Sequence, residues 1–247
     1  IVRCYRPRSE GLFARIERWM DINTHETHWR SITGDNITTL YGKTSESSIS
    51  DPEDPSHTFS WLICQSYDDK GNAIVYEYAK ENSESIDRTQ VHERNRTAEG
   101  RAVNRYIKRI KYGNRTPNRD ENWFATDPTQ LTDWMFEVVF DYDENHIEII
   151  SPPETEPILV RADENPNATW SSRQDAFSAY RAGFEVRTYR LCQRVLMFHH
   201  FPTELGTNDC LVRATEFTYD EEPIATFITK VTQSGYTRQN DDIYLQK

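Results

Sequence analysis

The sequence predicts an all-β fold built from long antiparallel hairpins. Three observations carry that expectation. Alternating apolar and polar runs, rich in β-branched and aromatic residues, recur along the chain. These runs close on turn-forming clusters, most plainly in FSWLICQSYDDKGNAIVYEYA (59–79), where DDKGN separates two apolar halves. Aromatic residues make up 12% of the chain, which suits a pleated surface.

Taken in order, 12–41 reads as two strands: LFARIERWM, then HWRSITGDNITTLYG after the DINTHET turn. The Ser- and Asp-rich GKTSESSISDPEDPSH is a loop. The 59–79 hairpin follows, with Gly71 and Asn72 supplying the positive φ of a tight turn. Residues 80–102 are polar and form an excursion. AVNRYIKRIKYGN fits a helix or a strand by periodicity, and the strand reading agrees with its neighbours. WMFEVVFDYDEN is a strand and turn, with Met135, Glu137, Val139 and Asp141 in one phase. Residues 151–176 hold four of the eleven prolines and read as an irregular connection. GFEVRTYRLCQRVLMFHHF reads as one long strand with a bulge, reaching about 60 Å at 3.3 Å per residue. Leu211–Tyr219 and Ile224–Thr232 make a last hairpin. The expected organisation is a single segment: first hairpins over 1–79, strands with irregular excursions over 80–177, and a long strand and last hairpin over 178–247.

Composition narrows the function. Hydrophobic residues reach only 36% of the 247 and charged residues 28%. Both figures point to a sheet with wet faces, or to a piece whose interior lies partly elsewhere. The net charge of −11 disfavours nucleic acid as a partner. No stretch approaches the roughly 18 apolar residues of a membrane helix. Cys4, Cys64, Cys192 and Cys210 form no CxxC pair, and Cys64 and Cys192 sit in apolar runs as buried thiols. The opening IVRCYRPRSEG reads like mid-protein sequence, so a fragment of a longer chain is expected.

Several motifs invite a sharper reading. Glu154-Thr155-Glu156 matches the Glu-x-Glu of some ADP-ribosyltransferases but lies between prolines. His25 and His28 are three apart, where a zincin helix needs four. His199 and His200 are adjacent, so on a strand they face opposite ways and do not chelate one ion together; pairing of one with His57 or His92 has nothing to argue for it. Residues 94–119 hold nine Lys or Arg against Glu99 alone; with Tyr106, Tyr112 and Trp123 nearby the sharper reading is a grip on single-stranded nucleic acid, and a charged strand face paired with acidic neighbours, or a cavity lining, accounts for them more readily. Trp19, Trp29, Trp61, Trp123, Trp134 and Trp170 serve packing more readily than a sugar platform. No catalytic, cofactor-binding or metal-ligating residue is expected, and no cofactor.

The segments RSEGLFARIERW (8–19), HWRSITGDNITTLYGK (28–43), DPEDPSHTFSWLICQSYDDKGNAIVYEY (51–78), HERNR (92–96), RYIKRIKYGNRTP (105–117), DWMFEVVFDYDE (133–144) and SAYRAGFEVRTYRLCQRVLMFHHFP (178–202) closely resemble the middle region of the B component of insecticidal toxin complexes. That family shares a front half with the Salmonella virulence plasmid SpvB protein. The resemblance implies part of an Rhs-type β-sheet shell, a cocoon wall that encapsulates a toxic polypeptide and helps deliver it. It implies as partners the rest of the B component, a C component carrying the toxic enzyme, and a pore-forming A component docked through a propeller. It implies a secreted, extracellular complex, with no nucleic acid and no membrane contact by this segment. A free-standing β-sandwich that binds carbohydrate, or a transferase using Glu154 and Glu156, are the alternatives.

Overall fold

The computed structural model describes residues 1–9, 11, 13–152, 156–240 and 242–247. The chain divides into two units: Ile1–Glu81 with Ala98–Trp134 and Ala179–Val186, and Asn82–Thr97 with Met135–Ser178 and Arg187–Lys247. Strands dominate both, joined in antiparallel pairs, as the alternating pattern predicts.

The first unit is a meander. Its strands are β1 (Val2–Tyr5), β2 (Arg15–Met20), β3 (Thr27–Ile32), β4 (Thr38–Tyr41), β5 (Ser48–Ser50), β6 (Thr58–Trp61), β7 (Ile63–Tyr67), β8 (Ala73–Lys80) and β9 (Arg105–Asn114). The sheet runs β1-β2-β3-β4-β7-β8-β9, and β5 pairs with β6 apart from it. The ambiguous 102–114 segment is therefore a strand from Arg105 to Asn114. Two expectations are corrected here. HWRSITGDNITTLYG is not one strand: Asn36 takes φ 59° and Asn36 N donates to Thr33 O at 3.1 Å, so Gly34–Asn36 folds it into a hairpin. The run 59–67 breaks at Leu62, whose N–H turns to Ser47 O at 2.7 Å.

The DDKGN turn closes as its residues dictate. Asp68 Oδ1 accepts from Lys70 N and Asn72 N, each at 2.9 Å, and Gly71 sits at φ +95°. A Cβ on Gly71 would lie 2.9 Å from Pro117 Cβ, so both conformation and space require glycine. The apolar core of this unit is small: Ala73, Val75 and Trp134, with Tyr67 and Leu131 against them. Polar groups are buried in this unit too. Glu17 is fully buried and accepts from Trp19 Nε1 at 2.8 Å and Arg30 Nε at 2.9 Å. Burial alone would raise its pKa; these hydrogen bonds and the Arg30 charge outweigh that and lower it.

The second unit holds β10 (Trp134–Asp141, whose first residue closes the first unit), β11 (Ile147–Ile149), β12 (Leu159–Ala162), β15 (Arg194–His199), β16 (Cys210–Glu221), β17 (Thr226–Asn240) and β18 (Ile243–Gln246); the three-residue strands β13 (Phe177–Ala179) and β14 (Val186–Thr188) precede β15. Its sheet runs β10-β15-β16-β17-β18-β12-β11. Val139, Val160, Leu196, Leu211 and Ala214 are fully buried and Phe198 and Tyr244 nearly so, in one continuous core. Each such large apolar side chain contributes about 1.5–3 kcal/mol. This unit therefore carries an apolar interior of its own.

The long strand over 183–201 is also corrected. It splits into β14 and β15, with 189–193 outside any ladder. There Tyr189 O accepts from Arg173 N, and Gln193 N donates to Asp141 O, both at 2.8 Å. The reason is Arg190, buried at 2% exposure, whose guanidinium donates to Trp170 O (3.0 Å), Ser171 O (3.1 Å) and Glu84 O (2.9 Å). The irregular stretch 151–176 gains one strand, β12, against expectation. The last hairpin is longer than the sequence suggests, and β17 bulges near Thr229, where Thr218 faces Lys230 but Tyr219 faces Ile228.

Candidate functional site

In the second unit, three elements converge on a group of carboxylates and one imidazole. Glu137 lies on β10 in the same phase as buried Val139 and Asp141, so the pleat turns its carboxylate inward. His200 follows β15, and its N–H donates to Met135 O at 2.9 Å, which fixes the chain there. Glu164 follows β12. Glu137, Glu164 and His200 each present an atom within 4.8 Å of the others. His200 Nε2 is 3.6 Å from Glu137 Oε2 and 4.0 Å from Glu164 Oε1. On its other side, Nδ1 lies 3.1 Å from Asn208 O and 3.0 Å from Asp209 Oδ1. Both of those oxygens accept, so Nδ1 carries a hydrogen.

The electrostatics follow from burial. Glu164 is raised well above the carboxylate range, first by burial and then by its hydrogen bond with Glu137 and the charge there. His200 is raised above the usual imidazole value, chiefly by its hydrogen bond with Glu137; burial works against that, and the Glu164 charge adds to it. A second group, Asp141, Glu144 and His146, is spent on a turn. Asp141 accepts from Glu144 N at 2.9 Å and Arg194 Nη1 at 3.0 Å, and His146 Nδ1 lies 2.9 Å from Asp163 O.

The sequence motifs fare differently. Glu154 and Thr155 lie outside the described residues, and Glu156 is exposed. His25 sits at φ 60° in the β2–β3 turn, whereas His28 stacks on Trp19 with centroids 6.1 Å apart, so the two histidines are separated. His57 lies 3.7 Å from Asp54 and His92 3.8 Å from Glu93. His199 and His200 do face opposite ways: His199 packs on the Phe136 ring at 5.0 Å. Within the basic stretch, Arg105 pairs with Glu46 at 3.2 Å and Lys111 with Glu77 at 2.8 Å, which fits the paired strand face. Trp29 and Trp61 meet edge to face at 75°, and Trp134 and Trp170 are buried. These rings form no coplanar platform. The sequence reading missed Glu137 and Glu164 as partners of His200. The available signal was the phase of β10, which places two acids on the side of Val139.

A further polar network pins the 82–97 excursion within this unit. Glu93, 2% exposed, accepts from Arg187 Nε at 3.0 Å and Tyr189 Oη at 2.7 Å, and Trp170 Nε1 donates to Asn82 Oδ1 at 2.7 Å. Burial, then the hydrogen bond to Glu93, raises the Tyr189 hydroxyl above its ordinary value.

Comparison with known proteins gives one consistent picture. The family model described as SpvB, Salmonella virulence plasmid 65kDa B protein, matches residues 1–201. Proteins named mono(ADP-ribosyl)transferase SpvB from Salmonella typhimurium (strain 14028s / SGSC 2262) and Salmonella dublin are each 38% identical over 232 residues. Each alignment takes in 94% of this chain and 37% of the relative, so the chain spans little more than a third of those proteins. The solved N-terminal domain of effector protein SpvB from Salmonella typhimurium strain LT2 superposes with TM-score 0.82 at 37% identity, over 96% of this chain and 69% of that one. TcdB2-TccC3 superposes with TM-score 0.77 at 30% identity, over 96% of this chain and 11% of that one. The Photorhabdus luminescens Tc holotoxin pore follows with TM-score 0.76 at 30% identity, over 95% of this chain and 10% of that one.

Proposed function

The chain belongs to the SpvB family, and from that premise we propose that it is a non-catalytic wall segment of a toxin-complex B component. In this reading it helps enclose and deliver a toxic polypeptide carried by a C component. The observation that carries the reading is the double likeness. One fold, with nearly the whole chain aligned, occurs both in the N-terminal domain of SpvB and in TcdB2-TccC3. A region common to proteins so different in size and name is best understood as shared scaffold, with chemistry placed elsewhere. The transferase in the relatives' name describes whole proteins, of which this chain spans 37%.

The segment acts by shape and charge. Its strands supply sheet, and its high charge and modest apolar content keep the surface from gripping an unfolded guest. Its partners in this reading are the rest of the B component, the C component and, through a propeller, the A component. The complex is secreted, and this segment touches neither membrane nor nucleic acid.

Two measurements test it. The isolated chain should not hydrolyse NAD or transfer ADP-ribose; activity that disappears in Glu156→Gln would overturn the non-catalytic reading. In the full-length parent expressed with its C component, deleting 1–247 should expose the guest polypeptide to protease. A guest equally protected after the deletion would sink the wall.

A further inference from the structure

We propose that Glu137, Glu164 and His200 form a binding site for a divalent cation of the zinc type, with Asp209 as the residue that positions the imidazole. The site lies wholly within the second unit and does not depend on the wall reading. It departs from the sequence expectation of no metal ligand, which weighed histidines in pairs and so passed over one histidine between two acids.

Nδ1 of His200 faces two acceptors, Asn208 O and the Asp209 carboxylate, so in the neutral ring the lone pair belongs to Nε2. Nε2 points at the two glutamates. A carboxylate and a carbonyl behind an imidazole, with its far nitrogen aimed at further donors, is the arrangement that orients metal-bound histidines and raises their basicity. Glu164 is oriented in a similar way: Asn165 Nδ2 reaches its Oε2 at 3.4 Å, while Oε1 is the atom nearest His200 Nε2. Two of the three ligands are thus steered by groups outside the triad.

Distance and charge agree. Donors that share one cation at bonds of about 2.0–2.2 Å lie roughly 3–4 Å from each other. The separations from Nε2 are 3.6 and 4.0 Å. Glu137 is 3% exposed, and the Glu164 side chain is 10% exposed. Glu164 and Glu137 share a hydrogen bond, so one proton is held between them; a divalent cation takes the place of that proton and neutralises both carboxylates at once. One imidazole with two carboxylates suits zinc better than calcium or magnesium, which prefer oxygen alone. Binding requires both glutamates ionised and Nε2 without its proton, so protons leave as the metal enters.

The test uses the whole 247-residue chain, stripped with a chelator and titrated with zinc chloride by calorimetry. One zinc per chain is expected, with proton release and a higher melting temperature. Cobalt(II) in the same site should give the visible absorption of a low-coordinate ion. Glu164→Gln and His200→Ala should each weaken zinc at least tenfold, and Asp209→Asn by roughly 10–100-fold with unchanged stoichiometry. Glu164→Gln keeps size and shape, so it remains informative if His200→Ala fails to fold. No zinc binding at millimolar concentration would overturn the proposal, because the triad would then be held by shared protons. Binding that survives Glu164→Gln unchanged, or that is lost in His25→Ala/His28→Ala, would overturn it too.

Discussion

Single residues in this chain do unusual work because apolar content is low and buried charge replaces part of the core. Arg173 and Asp175 show how. Arg173 Nε and Nη2 meet Asp175 Oδ1 and Oδ2 at 2.6 and 2.9 Å, with both side chains largely buried. The Arg173 hydrogen bond, against an opposing effect of burial, holds Asp175 down at about 2, from an ordinary 3.8. The folded value lies below the unfolded one. The stabilisation is therefore complete above the ordinary value and disappears as pH falls through the folded one. Asp175→Asn should cost on the order of 2 kcal/mol at neutral pH, a difference that shrinks towards zero as pH drops from about 4 to 2. Urea midpoints across that range check it; a constant difference would mean the pair acts by packing and not by charge. The same scale explains why the Glu137–Glu164–His200 group was hard to read. Each member is unremarkable where it stands in the sequence, and 27 residues or more separate one from the next. Only the inward phase of β10, with Glu137 and Asp141 beside Val139, marked the place.

Elements whose signals are local were legible. DDKGN announces a turn through an Asp that caps three backbone N–H groups and a Gly free to take positive φ, and β7 and β8 flank it as expected. Gly71→Ala should cost about 2–3 kcal/mol, since it adds left-handed strain to a close approach with Pro117. A shift in the urea midpoint measures this, and a neutral result would show that the turn readily yields. Elements whose signals are distant were not legible. Nothing between 183 and 201 says that Arg190 will bond the carbonyls of Glu84, Trp170 and Ser171, and that bonding ends the strand. GDN in 34–36 was visible but lost weight inside a convincing alternation.

At the scale of the whole molecule, the fold class followed from periodicity and composition, because strand pattern and wet faces are averages that survive local errors. The second unit still builds a core of its own, which average hydrophobicity did not foretell. Its sheet leaves work undone at β17. β18 pairs with β17 only from Tyr236 onward, so among the described residues the far edge of Thr226–Gln233 has no strand beside it. Phe227, Ile228 and Val231 are more than half exposed there. An open edge with apolar side chains recruits another strand. The isolated chain should self-associate in sedimentation at rising concentration, and Phe227→Lys with Val231→Lys should reduce it. A monomer at all concentrations would show that Lys230 and the acidic hairpin tip already guard the edge.

The pinned excursion has a further consequence, for proteolysis. Residues 82–97 carry Arg88, Arg94 and Arg96 in a polar, strand-free stretch, the sort of place trypsin opens first. Cleavage needs the backbone to lift away and stretch into the enzyme, and the buried Glu93 carboxylate, clamped by Arg187 and Tyr189, resists that movement between the scissile bonds. Brief digestion should spare this stretch, and Glu93→Ala should turn it into the earliest cut.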